Sequence, residues 1–349
     1  MIDRARLRAF GAMCFVRFRE FHRESEVVFW SFVFPILLSV CLGLAFRNRP
    51  PAPSAVAIAQ GPAAAELRAA LEKGPLLEVR TVDEAQALAD LRRGRVDLVV
   101  RRGPTGAAEY QLDAARPEAT IARSRVDDAL QRAAGRQDPM PTHDVPFAEP
   151  GGRYIDFLMP GILGMNIMSG GMWGVGFNLV DMRIKKLLKR LVATPMRKGD
   201  FLGSIILMRI AFMVVEAIFV LGFGRLAFGV PFRGSPFSVF AIGATGALCF
   251  GGMGLLLASR ARRIEAVMGL MNVVMMPMFI ASGVFFSADR FPAALQPLIR
   301  ALPLTALNDA LRAVVLEGAS LASQGAPLLV LASWGALSFV IGLRLFRWS

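Results

Sequence analysis

Arg209 and Glu216 stand seven residues apart inside an apolar run at 202–223. On a helix that spacing puts both on one face, two turns apart, within reach of each other. A charge in hydrocarbon needs a partner or serves a pathway, so two readings stay open: a structural pairing, with each other or with a neighbouring helix, and a gating or substrate-path role. A second group is cationic. In Asp181-Met182-Arg183-Ile184-Lys185-Lys186-Leu187-Leu188-Lys189-Arg190-Leu191, the residues Ile184, Leu187, Leu188 and Leu191 follow helical spacing while Lys185, Lys186, Lys189 and Arg190 take the other faces. Ala193-Thr194-Pro195 closes it, so the pattern predicts one amphipathic helix over 182–194. Such a rod either anchors on anionic lipid or docks into a groove of a cytoplasmic partner. A third group follows Pro303: Thr305, Asn308, Asp309, Arg312 and Glu317 are polar, while Leu307, Leu311, Val314 and Val315 lie near one side.

Other chemistry is excluded by what the residues cannot assemble. His22 and His143 are the two histidines, and the topology below puts them on opposite sides of a membrane, which leaves no His-based triad or metal site within one chain. Cys14, Cys41 and Cys249 lie before or within apolar runs and offer no disulfide or zinc framework. Gly61-Pro62 and Gly103-Pro104 are turn signals, and no Lys-Ser/Thr pair follows a glycine run as a phosphate loop would require. The chain is expected to bind no cofactor or metal and to catalyse nothing itself.

The elements that must position these groups are membrane helices. Of 349 residues 54% are apolar and 19% charged, with a mean hydropathy of +0.49, more than a chain with a polar surface carries. Crossing about 30 Å of hydrocarbon takes roughly 20 apolar residues. Six such runs are read at 27–46, 154–179, 202–223, 236–258, 265–287 and 326–346. The first begins too late, and lacks the small-residue site, for a cleavable signal.

The net charge of +13 sits in short segments beside those runs, which points to a membrane topology and away from nucleic acid. Arg4 to Arg23, Arg183 to Lys198, Arg260 to Arg263 and Arg347 all fall on one side if six runs alternate, and the positive-inside rule makes that side the cytoplasm. Both termini are then cytoplasmic. Residues 47–152, with 15 basic and 15 acidic side chains, form a neutral extracytoplasmic domain.

Four domains follow: an amphipathic interfacial helix in 1–26, a first span at 27–46, the domain at 47–152, and the remaining spans in 153–349. In the first, Leu7, Phe10, Cys14, Phe18 and Phe21 make a stripe opposite Arg4, Arg8, Arg19 and Arg23. The 47–152 domain reads as small α/β, with strands at 55–59, 76–80 and 95–101 and helices at 62–73, 83–93 and 117–134. Gly161 to Gly176 in run two, and Gly243, Ala247 and Gly251 in run four, let helices approach closely, either within the subunit or across a dimer. Pro277 with Ser282-Gly283 predicts a kink near one end of run five. Residues 288–320, interrupted by Pro292, Pro297 and Pro303, read as short re-entrant helices, acceptable at membrane depth where protein or a watery cavity shields the backbone.

Four stretches resemble the type-2 ATP-binding-cassette (ABC-2) exporter permeases. They are Tyr154-Ile155-Asp156-Phe157-Leu158-Met159-Pro160-Gly161, Leu187 to Arg190 with Ala193-Thr194-Pro195-Met196-Arg197, Ala281-Ser282-Gly283-Val284-Phe285-Phe286, and Leu302-Pro303-Leu304-Thr305 to Leu311-Arg312. The resemblance implies a homodimer or pseudo-dimer of six-helix subunits in the bacterial cytoplasmic membrane, paired with two ATPase subunits that bind ATP and Mg. It implies that 182–194 is the coupling helix and that a drug-like, lipid or other amphiphilic substrate moves outward. The large domain after the first helix is similar to a multidrug and lipid export subgroup and departs from the compact polysaccharide exporters. An ion-gradient-driven carrier, and a membrane sensor or scaffold using that domain, are the two alternative classes.

Overall fold

The computed structural model describes residues 10–15, 19, 25–46, 52–103, 105–137, 140, 143, 151–193, 198–261 and 263–346. The chain divides into two compact units, residues 1–47 with 148–349, and residues 48–147. Among the described residues, five helices of the first unit are long and apolar enough to cross a membrane: Ser25–Ala45, Gly199–Phe228, Pro236–Ala258, Ile264–Ala281 and Leu321–Leu345. Of the interfacial helix expected over 3–24, residues 10–15 are helical, and most of the remainder lies outside the described residues.

The run expected at 154–179 does not join those five, for a physical reason. It is helical without a break from 154 to 184, but Asp156, Asn166, Ser169 and its glycines dilute its apolarity. It needs little lipid-facing surface, because most of Tyr154–Gly171 is buried. This central helix packs against Ser25–Ala45, Lys198–Phe228, Pro236–Ala258 and Pro303–Glu317. Over Met172–Phe177 its hydrogen bonding widens to a π-helix in a glycine-containing stretch, the backbone best able to accept it.

Glycines decide how closely it approaches the Pro236–Ala258 helix. A Cβ at Gly176 would meet the Gly254 carbonyl at 2.7 Å, and one at Gly254 would meet the carbonyls of Met172 and Gly171 at 2.9 and 3.0 Å. Gly243 and Ala247 are likewise packed within the chain, Gly243 against Met213 and Ile167. The fifth run ends as helix at Ala281, not at 287, because Gly283 adopts φ +71° and turns the backbone out of the helix. Pro277 lies inside that helix as expected. The 288–320 stretch holds two 3₁₀ turns, Ala288–Arg290 and Ala293–Leu295, then helices Gln296–Arg300 and Pro303–Glu317.

The second unit is a three-layer α/β domain. Strands β1 (Ser54–Ala59), β2 (Leu77–Val82), β3 (Leu98–Arg102) and β4 (Ala108–Gln111) form one sheet in the order β2-β1-β3-β4. β1 runs parallel to β2 and β3, and β4 is antiparallel to β3. Val56, Ile58, Leu98 and Val100 pack on one face against Leu67, Leu71, Ala122 and Val126 of helices Ala64–Leu71 and Pro117–Ala133. On the other face Ala57 and Val99 meet Ala87 of helix Glu84–Arg92. Strand β4 has no counterpart in the sequence reading: its four residues are half-buried throughout and carry no strong alternation.

Candidate functional site

Three polar constellations are arranged along the central helix. Midway, Arg209 of the Lys198–Phe228 helix forms a bidentate pair with Glu216, Nη1 to Oε1 at 3.0 Å and Nη2 to Oε2 at 2.8 Å. Both side chains are buried, so each offsets the desolvation of the other. Nη2 also donates to the Asn166 carbonyl at 3.3 Å, and among the described residues Nε has no partner. The guanidinium lies where a Cβ on Gly170 would collide with it, so that glycine makes the room. Asn166 in turn donates through Nδ2 to the Ser31 carbonyl at 3.2 Å, one turn before Pro35, whose missing N–H leaves that acceptor available. Three helices thus share one polar thread. The sequence marked its charged pair but not Asn166 or Gly170, which read there as ordinary helix residues.

At the C-terminal end of the central helix the expectation of one rod over 182–194 is corrected. The helix stops at Ile184, Lys185 and Lys186 form a turn with Lys186 at φ +57°, and a separate helix covers Leu187–Val192. A left-handed residue cannot continue a right-handed helix, so the segment becomes an elbow. Its apolar residues part company: Leu188 is 1% exposed in the core, Leu187 is half-buried, and Ile184 is 45% exposed. Lys186, Lys189 and Arg190 are exposed, and Lys185 pairs with Asp181 at 2.8 Å. Thr194 and Pro195 lie outside the described residues, as does the side chain of Leu191. Arg183, which the sequence reading treated as one cation among several, ties the elbow to the bundle. Its Nη1 donates to the carbonyls of Ala258 and Ala261 at 3.0 and 2.8 Å, and its guanidinium stands 4.9 Å from the Phe346 ring.

At the N-terminal end, Asp156 accepts from the backbone of Gly151 and Arg153 and from the Arg153 guanidinium at 2.8 to 3.1 Å, fixing the start of the helix. One turn further in, the Pro303–Glu317 helix docks, with Pro303 in its first turn. Asn308 Nδ2 donates to the Ser282 carbonyl at 2.8 Å, and its side chain occupies space that a Cβ on Gly164 would claim. Arg312 donates to the carbonyls of Phe157 and Gly283, stacks 3.7 Å from the Phe157 ring centroid, and has Asp309 at 3.7 Å. Thr305 and Asp309 join them around a cavity of about 300 Å³. The structure therefore gathers Thr305, Asp309 and Arg312 at one cavity, leaves Asn308 packed beside it, and places Arg209 and Glu216 elsewhere along the bundle.

Between Phe157 and Arg183 the helix rises about 40 Å, so polar features sit at both ends of an apolar bundle and a buried ion pair lies between. Together with the five apolar helices, that defines a multi-pass membrane protein. Comparison narrows the class: the family described as ABC-2 family transporter protein matches residues 26–344, and the chain belongs to it. Members of that family are membrane subunits that pair with ABC ATPases. The chain is also 29% identical over 182 residues to ABC transporter G family member 20 of Dictyostelium discoideum, a match covering 50% of this chain and 24% of that protein's length.

Proposed function

We propose that the chain is the pore-forming subunit of an ATP-driven exporter whose ATPase is a separate polypeptide, acting as a homodimer or pseudo-dimer. In this reading the central helix is a sixth span, the elbow and both termini face the cytoplasm, and residues 47–152 lie outside a bacterial cytoplasmic membrane. The exported substrate is a drug-like, lipid or other amphiphilic molecule. ATP and Mg belong to the partner.

The observation that carries the reading is the elbow itself. A coupling element must be anchored on one side and free on the other. Leu188 and Arg183 anchor it to the bundle, while Ile184, Lys186, Lys189 and Arg190 remain exposed for a partner's groove. Closure of the ATPase dimer would push the elbow and move the central helix and the Ile264–Ala281 helix as rigid bodies. The methionines on that latter helix, with Met268 and Met276 exposed, suit a lining that adapts to varied apolar cargo.

Ile184→Asp combined with Lys189→Glu tests this without touching the anchored face. The expected result is a drop of at least about tenfold, or about 1.4 kcal/mol, in ATPase retained on purification, with an unchanged melting temperature of the membrane subunit. Retained ATPase and undiminished transport would reject the docking role. Transport that survives ATP depletion would reject the energy source.

A further inference from the structure

Strand β2 ends its sheet on one side, and its outer edge is open. The inner side meets β1: Ser54 N donates to the Leu76 carbonyl at 2.8 Å and Gln60 N to the Val82 carbonyl at 2.9 Å, with Val56 opposite Val79 between them. In that parallel ladder Glu78 and Arg80 turn their backbone N–H and C=O toward β1, which directs those of Leu77, Val79 and Thr81 outward. Among the described residues no backbone group bonds to them from the open side. An edge of six residues is a template for another strand unless something guards it. The side chains alternate as well. Leu77 and Val79 are half-buried and pack with the cluster of Leu67, Leu71 and Val126, whereas Glu78 and Arg80 are exposed on the opposite face. Glu78 and Arg80 meet at 2.8 Å with side chains 55 and 70% exposed, a surface pair within one strand that ties no two elements together.

Charge selects what can pair here. A second copy of β2, laid antiparallel about a two-fold axis, keeps each side chain on its own face of the sheet, so even positions meet even ones and odd meet odd. The registers that keep the two strands overlapped are centred on Glu78, Val79 or Arg80. Centred on Glu78 or on Arg80, a carboxylate meets its own copy or a guanidinium meets its own copy, and both are destabilising. Centred on Val79, each Glu78 faces the other copy's Arg80, Leu77 faces Thr81 and Val79 faces itself. The same register brings every outward N–H of Leu77, Val79 and Thr81 to an outward carbonyl. Edge charges placed as a guard repel in every register, whereas these oppose all but one. We propose that the 48–147 domain pairs with the same domain of a second copy through antiparallel β2 edges centred on Val79, forming one continuous sheet across both. The pairing rests on the homodimer of the reading above, and on neither its ATPase nor its topology.

The test uses the full chain in nanodiscs, with Val79→Cys in a cysteine-free background. Residues facing each other as a hydrogen-bonded pair have Cα atoms about 5.5 Å apart, within the span a disulfide bridges, so mild oxidation is expected to link two copies. Glu78→Arg and Arg80→Glu, each added singly, set like charges opposite and are expected to cut the linked fraction at least about tenfold. Both side chains are exposed, so the melting temperature should not move. The mixture is decisive: Glu78→Arg in one copy and Arg80→Glu in the other, co-expressed, restore opposite charges across the edge while leaving like charges within each chain. The linked heterodimer should return to the parent level, a rescue that loss of the intrachain pair cannot produce. Should Val79→Cys fold poorly, Leu77→Cys co-expressed with Thr81→Cys reads the same register. Absence of linkage, linkage indifferent to charge, or a mixture no better than the single variants overturns the proposal. Chains that are dimeric by mass yet unlinked would overturn the edge pairing and leave the homodimer standing, and linked chains that retain no ATPase would leave the edge pairing standing without the exporter.

Discussion

Arg209 and Glu216 show why a buried pair is judged by what its loss leaves behind. Glu216→Gln strands a guanidinium whose Nε already lacks a partner among the described residues, a change that costs about 3–5 kcal/mol in comparable sites. Replacing both residues with methionine should cost less than either single change, and melting of the detergent-solubilised protein would show that order. Gly170→Ala should destabilise through the same guanidinium, whereas Gly174→Ala, with nothing within 4 Å among the described residues, should leave the melting temperature unchanged. In the sheet domain the Tyr110 phenol is pushed up to about 12, first by burial and then by its 2.9 Å hydrogen bond to Asp127. The ordinary value is about 10, so the neutral form is favoured in the fold. The stability it contributes is full below pH about 10 and is lost as pH rises towards 12. The chain has two tyrosines, so tyrosinate absorbance of a Tyr154→Phe variant reads Tyr110 alone. A midpoint near 10 in folded protein would refute the shift.

The 154–184 helix is the element on which each constellation depends, and its glycines set its neighbours' distances. Gly254→Ala must push its Cβ against two carbonyls of that helix and should cost about 1–3 kcal/mol, seen as a lower melting temperature. Gly222→Ala meets nothing within 4 Å among the described residues and serves as the control. The elbow divides in the same way. Leu188→Asp buries a charge and should prevent recovery of folded protein, while Ile184→Asp should fold normally. Helical spacing alone grouped Ile184, Leu187 and Leu188 on one stripe. The turn at Lys186 separates them, and no glycine or proline there marks it.

For the whole molecule, the proposed threading predicts that a thiol at Lys186→Cys, in a cysteine-free background, reacts with impermeant reagent only from the cytoplasmic side and one at Thr105→Cys only from outside. The reverse pattern would overturn the topology. Apolar run length and the alternation of short apolar and helical stretches are local properties, so five apolar helices and strands β1 to β3 were legible in the sequence. The family motifs were legible as well, and the match over residues 26–344 agrees with them. What the sequence could not decide depended on neighbours distant along the chain. Gly170 beside Arg209, Arg183 on Ala258 and Ala261, and Thr305 with Asp309 and Arg312 around one cavity acquire their roles from the packing of helices. Hydropathy is summed along a chain, whereas a collision, a shared carbonyl or an unfilled acceptor exists only once two segments meet.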